Sequence, residues 1–257
     1  MKVNILILIL VSLFFFSCEQ EVELKVNTSE PCYVIEALIT LGEFAKVNIV
    51  ESKNYGEDNQ YPPVRNVMVS ISDNTGEKEI LELMASGLYE SKEIKGIEGR
   101  TYHLNVEIEQ QEYTSVATMP YAVPIEDMIM FKTTTDSYFP KITYNDPPGI
   151  RNYYRAILSI NGKRMPGMEV MDDRDTDGKK NSSLILFDPD YNGGDDIKKG
   201  DVVRIEMQCL DKGAYTYFES LNRINESLAN PTSNITGGVL GYFGVYTYDT
   251  KEIIADW

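Results

Sequence analysis

The stretch Thr101-Tyr102-His103-Leu104-Asn105-Val106-Glu107-Ile108-Glu109 decides the fold class. Tyr102, Leu104, Val106 and Ile108 alternate with Thr101, His103, Asn105, Glu107 and Glu109. A period of two places the apolar set on one face of a strand and the polar set on the other. The same alternation recurs in Ala45-Lys46-Val47-Asn48-Ile49 and in Val67-Met68-Val69-Ser70-Ile71-Ser72. Asp73-Asn74-Thr75-Gly76 then supplies a turn, and Leu81 to Leu83 begins a return strand. Several short strands at this spacing, with no helical period between them, predict an immunoglobulin-like β-sandwich over residues 31–119.

Met119-Pro120-Tyr121-Ala122-Val123-Pro124 reads as a boundary, because two close prolines disfavour ladder bonding and favour an extended connection. Residues 120–257 then form a second β-rich domain. Tyr154, Ala156, Leu158 and Ile160 line one face of a strand that stops at the turn pair Asn161-Gly162. Leu184 to Phe187 reads as a short buried run. Val203, Ile205, Met207 and Cys209 share a strand face. One amphipathic helix is predicted over residues 214–228, with Tyr217, Phe218, Leu221, Ile224 and Leu228 on one side and Asn230-Pro231 ending it. The glycine-dense segment Gly237 to Gly244 suits close backbone packing; it has no P-loop lysine and no following helix, so it is no phosphate cradle. The expected fold is therefore mostly β: two β-sandwich-like domains, the first immunoglobulin-like, the second carrying one inserted helix.

Composition narrows the function by exclusion. Of 257 residues, 42% are hydrophobic and 25% charged, which is a globular balance. Forty acidic residues against 24 basic ones give a net charge of −16 with no Lys/Arg cluster, so nucleic acid is not an expected partner. One histidine and three cysteines exclude a His-rich metal site and a disulfide framework.

The N-terminus carries an address. Lys2 precedes a nearly unbroken apolar run from Ile5 to Phe16, too short for a comfortable membrane span and laid out as a secretion signal. The run ends in Phe16-Ser17-Cys18, which resembles a bacterial lipobox, with Phe15 in the place of the usual leucine. The expectation is a signal peptide over residues 1–17, lipidation at Cys18, and an acidic tether over residues 18–30 that opens with Glu19, Glu21 and Glu23. Removal of residues 1–17 takes away Lys2 and no acid, leaving a mature chain of net charge −17. Acids directly behind the cysteine resemble a surface-export signal; a plain solvated tether has the same composition.

Further blocks carry a family resemblance. Asp146-Pro147-Pro148-Gly149 with Asn152-Tyr153-Tyr154-Arg155, Gly200-Asp201-Val202-Val203, Ala214-Tyr215-Thr216-Tyr217, Asn234-Ile235-Thr236-Gly237-Gly238 and Gly241-Tyr242-Phe243-Gly244 stand together in this chain. With Gly96 to Tyr102, they resemble a Bacteroidota lipoprotein family of unknown function whose genes sit beside those of TonB-dependent outer-membrane transporters. The resemblance covers nearly the whole mature chain. It implies two β-rich domains on an outer-membrane lipoprotein that serves a transporter barrel, and it brings no catalytic or ligand-binding residues.

Candidate chemistry is sparse. His103 falls on the polar face of its strand, where a solvent-facing residue is expected rather than a general base. Cys32 and Cys209 are expected as free thiols, since a bridge would have to join separate domains. The richest constellation is Asp173-Arg174-Asp175-Thr176-Asp177-Gly178, where alternate carboxylates before a glycine are how a calcium loop gathers oxygens around a hard cation. Leu184 stands where such a loop would need its bidentate glutamate, and Lys179 and Lys180 add positive charge nearby, so Asp173, Asp175 and Asp177 read more readily as a solvated acidic turn than as a calcium site. Asp188, Asp190, Asp195 and Asp196 lie near enough in sequence to complete a site from outside. Tyr138, Phe139, Tyr144, Tyr191, Tyr246 and Tyr248 fall in or near expected loops and edges, where rings serve ligand stacking or simply strand propensity. Trp257 is expected to close an edge strand. No acid pair stands out as a glycosidase couple. No cofactor other than possible calcium is expected, and the protein is read as a non-enzyme. The expected role is a surface-exposed outer-membrane lipoprotein that assists a TonB-dependent transporter; the alternative is a free-standing, calcium-stabilised glycan-binding or adhesion module.

Overall fold

The computed structural model describes residues 32–53, 64–85, 87–224 and 229–257. The predicted signal peptide, Cys18, the acidic tether and Leu228 lie outside them.

The described N-terminal strands are β1 (Tyr33–Thr40), β2 (Phe44–Glu51), β3 (Val67–Asp73), β4 (Lys78–Ile80), β5 (Glu82–Ala85), β6 (Leu88–Lys95), β7 (Thr101–Ile108) and β8 (Gln111–Thr118). They form two facing layers: β1-β2-β6-β5 on one side and β4-β3-β7-β8 on the other. Between the layers lies a core that includes Ile35, Ile39, Val47, Ile71, Tyr102, Leu104 and Val106. The chain changes layer at Leu81, which is buried between β4 and β5 with its N–H bonded to the Val69 carbonyl at 2.9 Å. Tyr102, Leu104, Val106 and Ile108 all face the core, while His103 is exposed, as the alternation requires.

The second unit comprises β9 (Ile125–Lys132), β10 (Tyr138–Asn145), β11 (Tyr153–Ile160), β12 (Lys163–Asp172), β13 (Lys180–Leu184), β14 (Val202–Leu210), the helix α1 (Lys212–Asn222) and β15 (Leu240–Ile254). A small sheet β13-β10-β9 covers β12-β11-β14-β15, with Ile142, Tyr154, Leu158, Val203, Ile205 and Met207 between them. The molecule is mostly β and built as two sandwiches, as the sequence predicts.

The two cores divide where the prolines predict, with Met119 in the first and Val123 in the second. The second domain is nevertheless not the continuous span 120–257. Ile235, Val239, Phe243 and Val245 belong to the first core. The reason is β15, fifteen residues long and roughly 50 Å at the usual strand rise. Its first half runs parallel to β1, Val34 opposite Leu240 through Thr40 opposite Tyr246. Its second half runs antiparallel to β14, Leu210 opposite Tyr246 through Val202 opposite Ile254. One eight-stranded sheet, β12-β11-β14-β15-β1-β2-β6-β5, therefore passes through both sandwiches. Gly241 permits the join: its φ is +94°, and a Cβ there would lie 2.1 Å from the Ile35 carbonyl oxygen.

Helix α1 starts two residues before the predicted 214–228 and is described to Asn222; residues 225–228 of that span lie outside the described residues. Asp211 is its N-cap, with Oδ1 accepting from the N–H of Gly213 (2.7 Å) and Ala214 (3.1 Å) and Oδ2 from that of Val245 (3.0 Å). One carboxylate thus ties the helix start to the shared strand. Ala214 and Phe218 are buried, and Tyr217, Leu221, Tyr153, Met168, Val170 and Tyr242 close the cluster on the outer face of the long sheet. The Arg155 guanidinium lies 3.7 Å over the Phe218 ring, and Arg155 Nε donates to Gln208 Oε1 at 2.8 Å.

Three other expectations change. Within the run Leu184 to Phe187, Ile185 is buried but Leu186 is 58% exposed, because β13 ends at Leu184 and the chain beyond it turns only one side to the core. Tyr144 is buried, pointing inward from β10 rather than lining a loop. Trp257 closes no edge strand: β15 is interior, and Trp257 lies beyond it, stacked on Tyr138 at 4.0 Å. Cys32 and Cys209 are unbridged; Cys209 is buried, accepts from the Val123 N–H at 3.3 Å, and burial pushes its thiol up to about 11.

Gly241→Val is expected to destabilise the protein by at least about 2–4 kcal/mol, combining backbone strain with a clash against β1. Gly238→Ala, also at positive φ but with nothing within 4 Å, should cost about 1 kcal/mol; urea unfolding measures both. A second expectation concerns pH. Burial pushes the Asp211 carboxyl up to about 6, against its backbone N–H donors. An unfolded aspartate titrates near 3.9, so between about pH 4 and pH 6 the folded chain holds a proton that the unfolded chain has released. That contribution to stability is full below about pH 4 and is lost as pH rises through about 6. Asp211→Asn, which keeps an acceptor oxygen but cannot ionise, should therefore gain on wild type by about 1–3 kcal/mol between pH 4 and pH 7.5. Parallel pH profiles for the two proteins would contradict it.

Candidate functional site

Two features meet where the sandwiches join: a cleft and, behind one of its walls, an acidic cluster. The cleft has a volume of about 770 Å³, within the usual range of small-ligand pockets. One wall is the end of β8 and the connector, Val116 to Tyr121; the other is the loop between β10 and β11, with Pro147 and Ile150; the N-terminus of α1, with Lys212, closes the third side. Its mouth is apolar, with Val116 57%, Tyr121 62% and Ile150 53% exposed. Gly99 allows the Tyr121 ring to lie close, since a Cβ there would meet the phenol oxygen at 2.9 Å. Glu98 accepts from the Ala122 N–H at 2.8 Å and holds the connector against the first sandwich.

Charge at the rim is mixed. Arg151 borders the cleft, with its Nη2 3.2 Å from Asp172 Oδ2 and its Nε 3.2 Å from Asp173 Oδ1. Lys212 is exposed at the opposite side. Tyr215 donates to Asp172 at 3.3 Å and packs its ring on Tyr153 with centroids 4.6 Å apart. Burial pushes the Asp172 carboxyl up, but the Arg174 N–H and the charges of Arg151 and Arg174 outweigh this and hold it below the ordinary carboxylate range.

Behind this wall, the loop after β10 meets the loop between β12 and β13. Asp146 accepts the Tyr154 hydroxyl on Oδ1 and the Gly178 N–H on Oδ2 at 3.0 Å. Asp177 Oδ1 accepts the Gly149 N–H at 2.8 Å. Asp173 Oδ2 accepts the Asn152 N–H at 2.8 Å. Carboxylate oxygens of Asp146, Asp173 and Asp177 lie within 4.8 Å of one another. Burial drives the Tyr154 hydroxyl well above the ordinary phenol range, and its bond to Asp146 adds to that.

The sequence-read calcium set is thus only partly assembled. Asp173 and Asp177 converge, but Asp175 is exposed and outside the group, its carbonyl accepting Lys179 Nζ at 2.9 Å. The alternation that predicts convergence assumes an EF-hand turn; here Thr176 N–H bonds back to the Asp173 carbonyl at 2.9 Å, a tighter turn that sends the middle acid outward. The third acid is Asp146, from a different loop. Asp188, Asp190, Asp195 and Asp196 contribute nothing to the cluster: Asp188 caps the 3₁₀ turn Pro189–Asn192, and Asp195 pairs with Lys198 at 2.8 Å. No spacing within the chain could announce Asp146 or the cleft residues Tyr121 and Ile150, because topology alone brings them together.

Comparisons with known proteins place the chain without naming its activity. No curated protein matches its sequence. Among solved structures, it is similar to a DUF4785 family protein from Legionella pneumophila at 11% identity and a TM-score of 0.28, over 70% of this chain; the chain spans about half of that protein's length, 52%. It is also similar to a two-domain fibronectin type-III segment from chicken tenascin at 9% identity and a TM-score of 0.24, over 88% of this chain and 100% of that one. The model of a domain of unknown function, DUF4249, matches residues 19–252, so the chain belongs to the DUF4249 family.

Proposed function

We propose that this protein is a non-enzymatic outer-membrane lipoprotein, anchored through Cys18 and exposed at the cell surface, that assists a TonB-dependent transporter in capturing or admitting a nutrient. The cleft of about 770 Å³ at the junction of the sandwiches carries the binding part of this reading. Junctions between domains are preferred positions for ligand pockets, and an apolar wall with few polar groups binds by desolvation while the polar groups set orientation. Pro147, Ile150 and Tyr121 would receive an apolar portion of the cargo. Lys212 at the rim would meet an anionic group, beside Arg151, which Asp172 and Asp173 already pair. The lipobox-like Phe16-Ser17-Cys18 supports the anchoring part. Acyl chains on Cys18 would confine the protein to the membrane and raise its effective concentration beside the barrel.

The acidic cluster favours a second reading, a calcium-stabilised module that binds glycans or mediates adhesion without a barrel. The two separate in a mild-detergent affinity purification from the native outer membrane. The transporter reading expects a large barrel recovered in stoichiometric amount with the wild type and lost with Cys18→Ala; recovery of the wild type alone would move the free-standing module to first place. The cleft is tested apart from the anchor. The anionic, amphipathic dye 8-anilinonaphthalene-1-sulfonate is expected to bind the native chain at one site. Ile150→Glu should weaken that binding by about tenfold, on the order of the cost of placing a charge in an apolar contact, and leave the melting temperature unchanged, since Ile150 is mostly exposed. Unaltered dye binding in Ile150→Glu would refute this site.

A further inference from the structure

We propose that Asp146, Asp173 and Asp177 hold one calcium ion, which fastens together the two loops behind the cleft. This inference stands independently of the lipid anchor and of the cleft's cargo.

The geometry suits the ion. The three carboxylates offer oxygens within 4.8 Å of one another. Two oxygens that each lie about 2.4 Å from one calcium ion are at most about 4.8 Å apart, so the spacing permits a shared centre. Asp146 is 4% and Asp173 1% exposed, so two of the three carboxylates are buried, and the exposed Asp177 opens the group to solvent. All the donors are oxygens, the set that selects calcium or magnesium over zinc or copper. Magnesium demands near-ideal octahedra at about 2.0–2.1 Å, whereas these oxygens come from separate loops already oriented by backbone N–H groups, an irregular cage that calcium accepts.

A second observation points the same way. Asp173 Oδ1 is buried and accepts no hydrogen bond, although Asp173 belongs to the cluster. Arg151 Nε lies 3.2 Å from it as an ion-pair partner but outside hydrogen-bonding geometry, and the same guanidinium also faces Asp172. Asn152 Oδ1, on the residue whose N–H binds Asp173, is likewise buried without a partner. Both orphans are acceptors. Burying an acceptor without a hydrogen-bond donor is costly, and native interiors hold few such atoms. Of the three carboxylates only Asp173 is paired with Arg151, which it shares with Asp172, and a divalent cation would supply both charge and coordination to the group.

The ion would act on the cleft through the chain. Asp146 precedes Pro147 and Ile150 in the cleft wall, while Asp173 and Asp177 stand on the opposite loop; a common ion cross-links the two and fixes the wall.

The test uses the full chain, stripped with a chelator and titrated with calcium chloride. We expect one ion per chain with a Kd of about 10⁻⁴–10⁻³ M or tighter, the range of extracellular modules, and a melting temperature that rises by several degrees at about 10 mM calcium. Terbium in the site should luminesce on tyrosine excitation, since Tyr154 bonds Asp146, and calcium should quench it by displacement. Asp177→Asn, at an exposed position where folding is secure, should weaken binding at least about tenfold, as expected for removing one charged ligand, whereas Asp175→Asn should bind like wild type. No heat and no thermal shift in folded wild type up to about 10 mM calcium would overturn the proposal, since that exceeds the weakest Kd in the expected range. Binding lost in Asp175→Asn but kept in Asp177→Asn would overturn the ligand set.

Discussion

The contact between Gly241 and Ile35 is the constraint on which the rest of the architecture depends. A parallel strand must approach β1 closely enough to exchange hydrogen bonds, and at this point the path of β15 leaves no volume for a Cβ. Once that approach is made, β15 is committed to two partners in succession. Its first half completes the sheet of the N-terminal sandwich, and its second half completes that of the C-terminal one. The relative placement of the two cores is then set by a ladder of main-chain hydrogen bonds instead of by a flexible connection. Asn234 reinforces the seam: its side chain accepts from the Phe243 N–H and donates to the Phe243 carbonyl. The cleft exists because these two bodies are held at a fixed distance. Its three sides come from β8, from the loop after β10 and from the capped start of α1.

The capping of α1 belongs to the same system. Asp211 accepts from two helix N–H groups and from Val245 in the shared strand, so helix and seam are satisfied by one carboxylate. Gly213, an unfavourable residue inside a helix, is explained by crowding: a Cβ there would lie 2.2 Å from Asn234 Nδ2. Helix start, asparagine clamp and strand are one packed unit at the floor of the junction.

Much of the local structure was legible in residue patterns. The core-facing sets of β7, β11 and β14 follow from alternation alone, although β11 also buries Arg155 and Ile157, and β14 Gln208 and Leu210, on the opposite face. The apolar spacing of Tyr217, Phe218 and Leu221 revealed the helix, but its start was obscured because Gly213 looks like a breaker and Asp211 acts through side-chain geometry. The glycine-dense segment Gly237 to Gly244 was recognisable as a site of close backbone approach; which backbone it approached was not, because pairing of Val34 with Leu240 leaves no periodic trace in either segment. The acidic site divides in the same way. Asp173 and Asp177 advertise themselves by spacing, while Asp146 is recruited by topology and Asp175 is rejected by the turn.

The shared strand also bears on how the chain acquires its structure. The sheet of the N-terminal sandwich lacks one of its members until residues near the C-terminus have been made, because β1 waits for Leu240 to Tyr246. Domains ordinarily fold as units in the order of synthesis, and pairings between distant segments are slow to form. Here the N-terminal sandwich cannot complete its sheet until β15, the strand it shares with the C-terminal one, is in place. The connectivity that fixes the cleft therefore also makes the completion of both sandwiches depend on one strand.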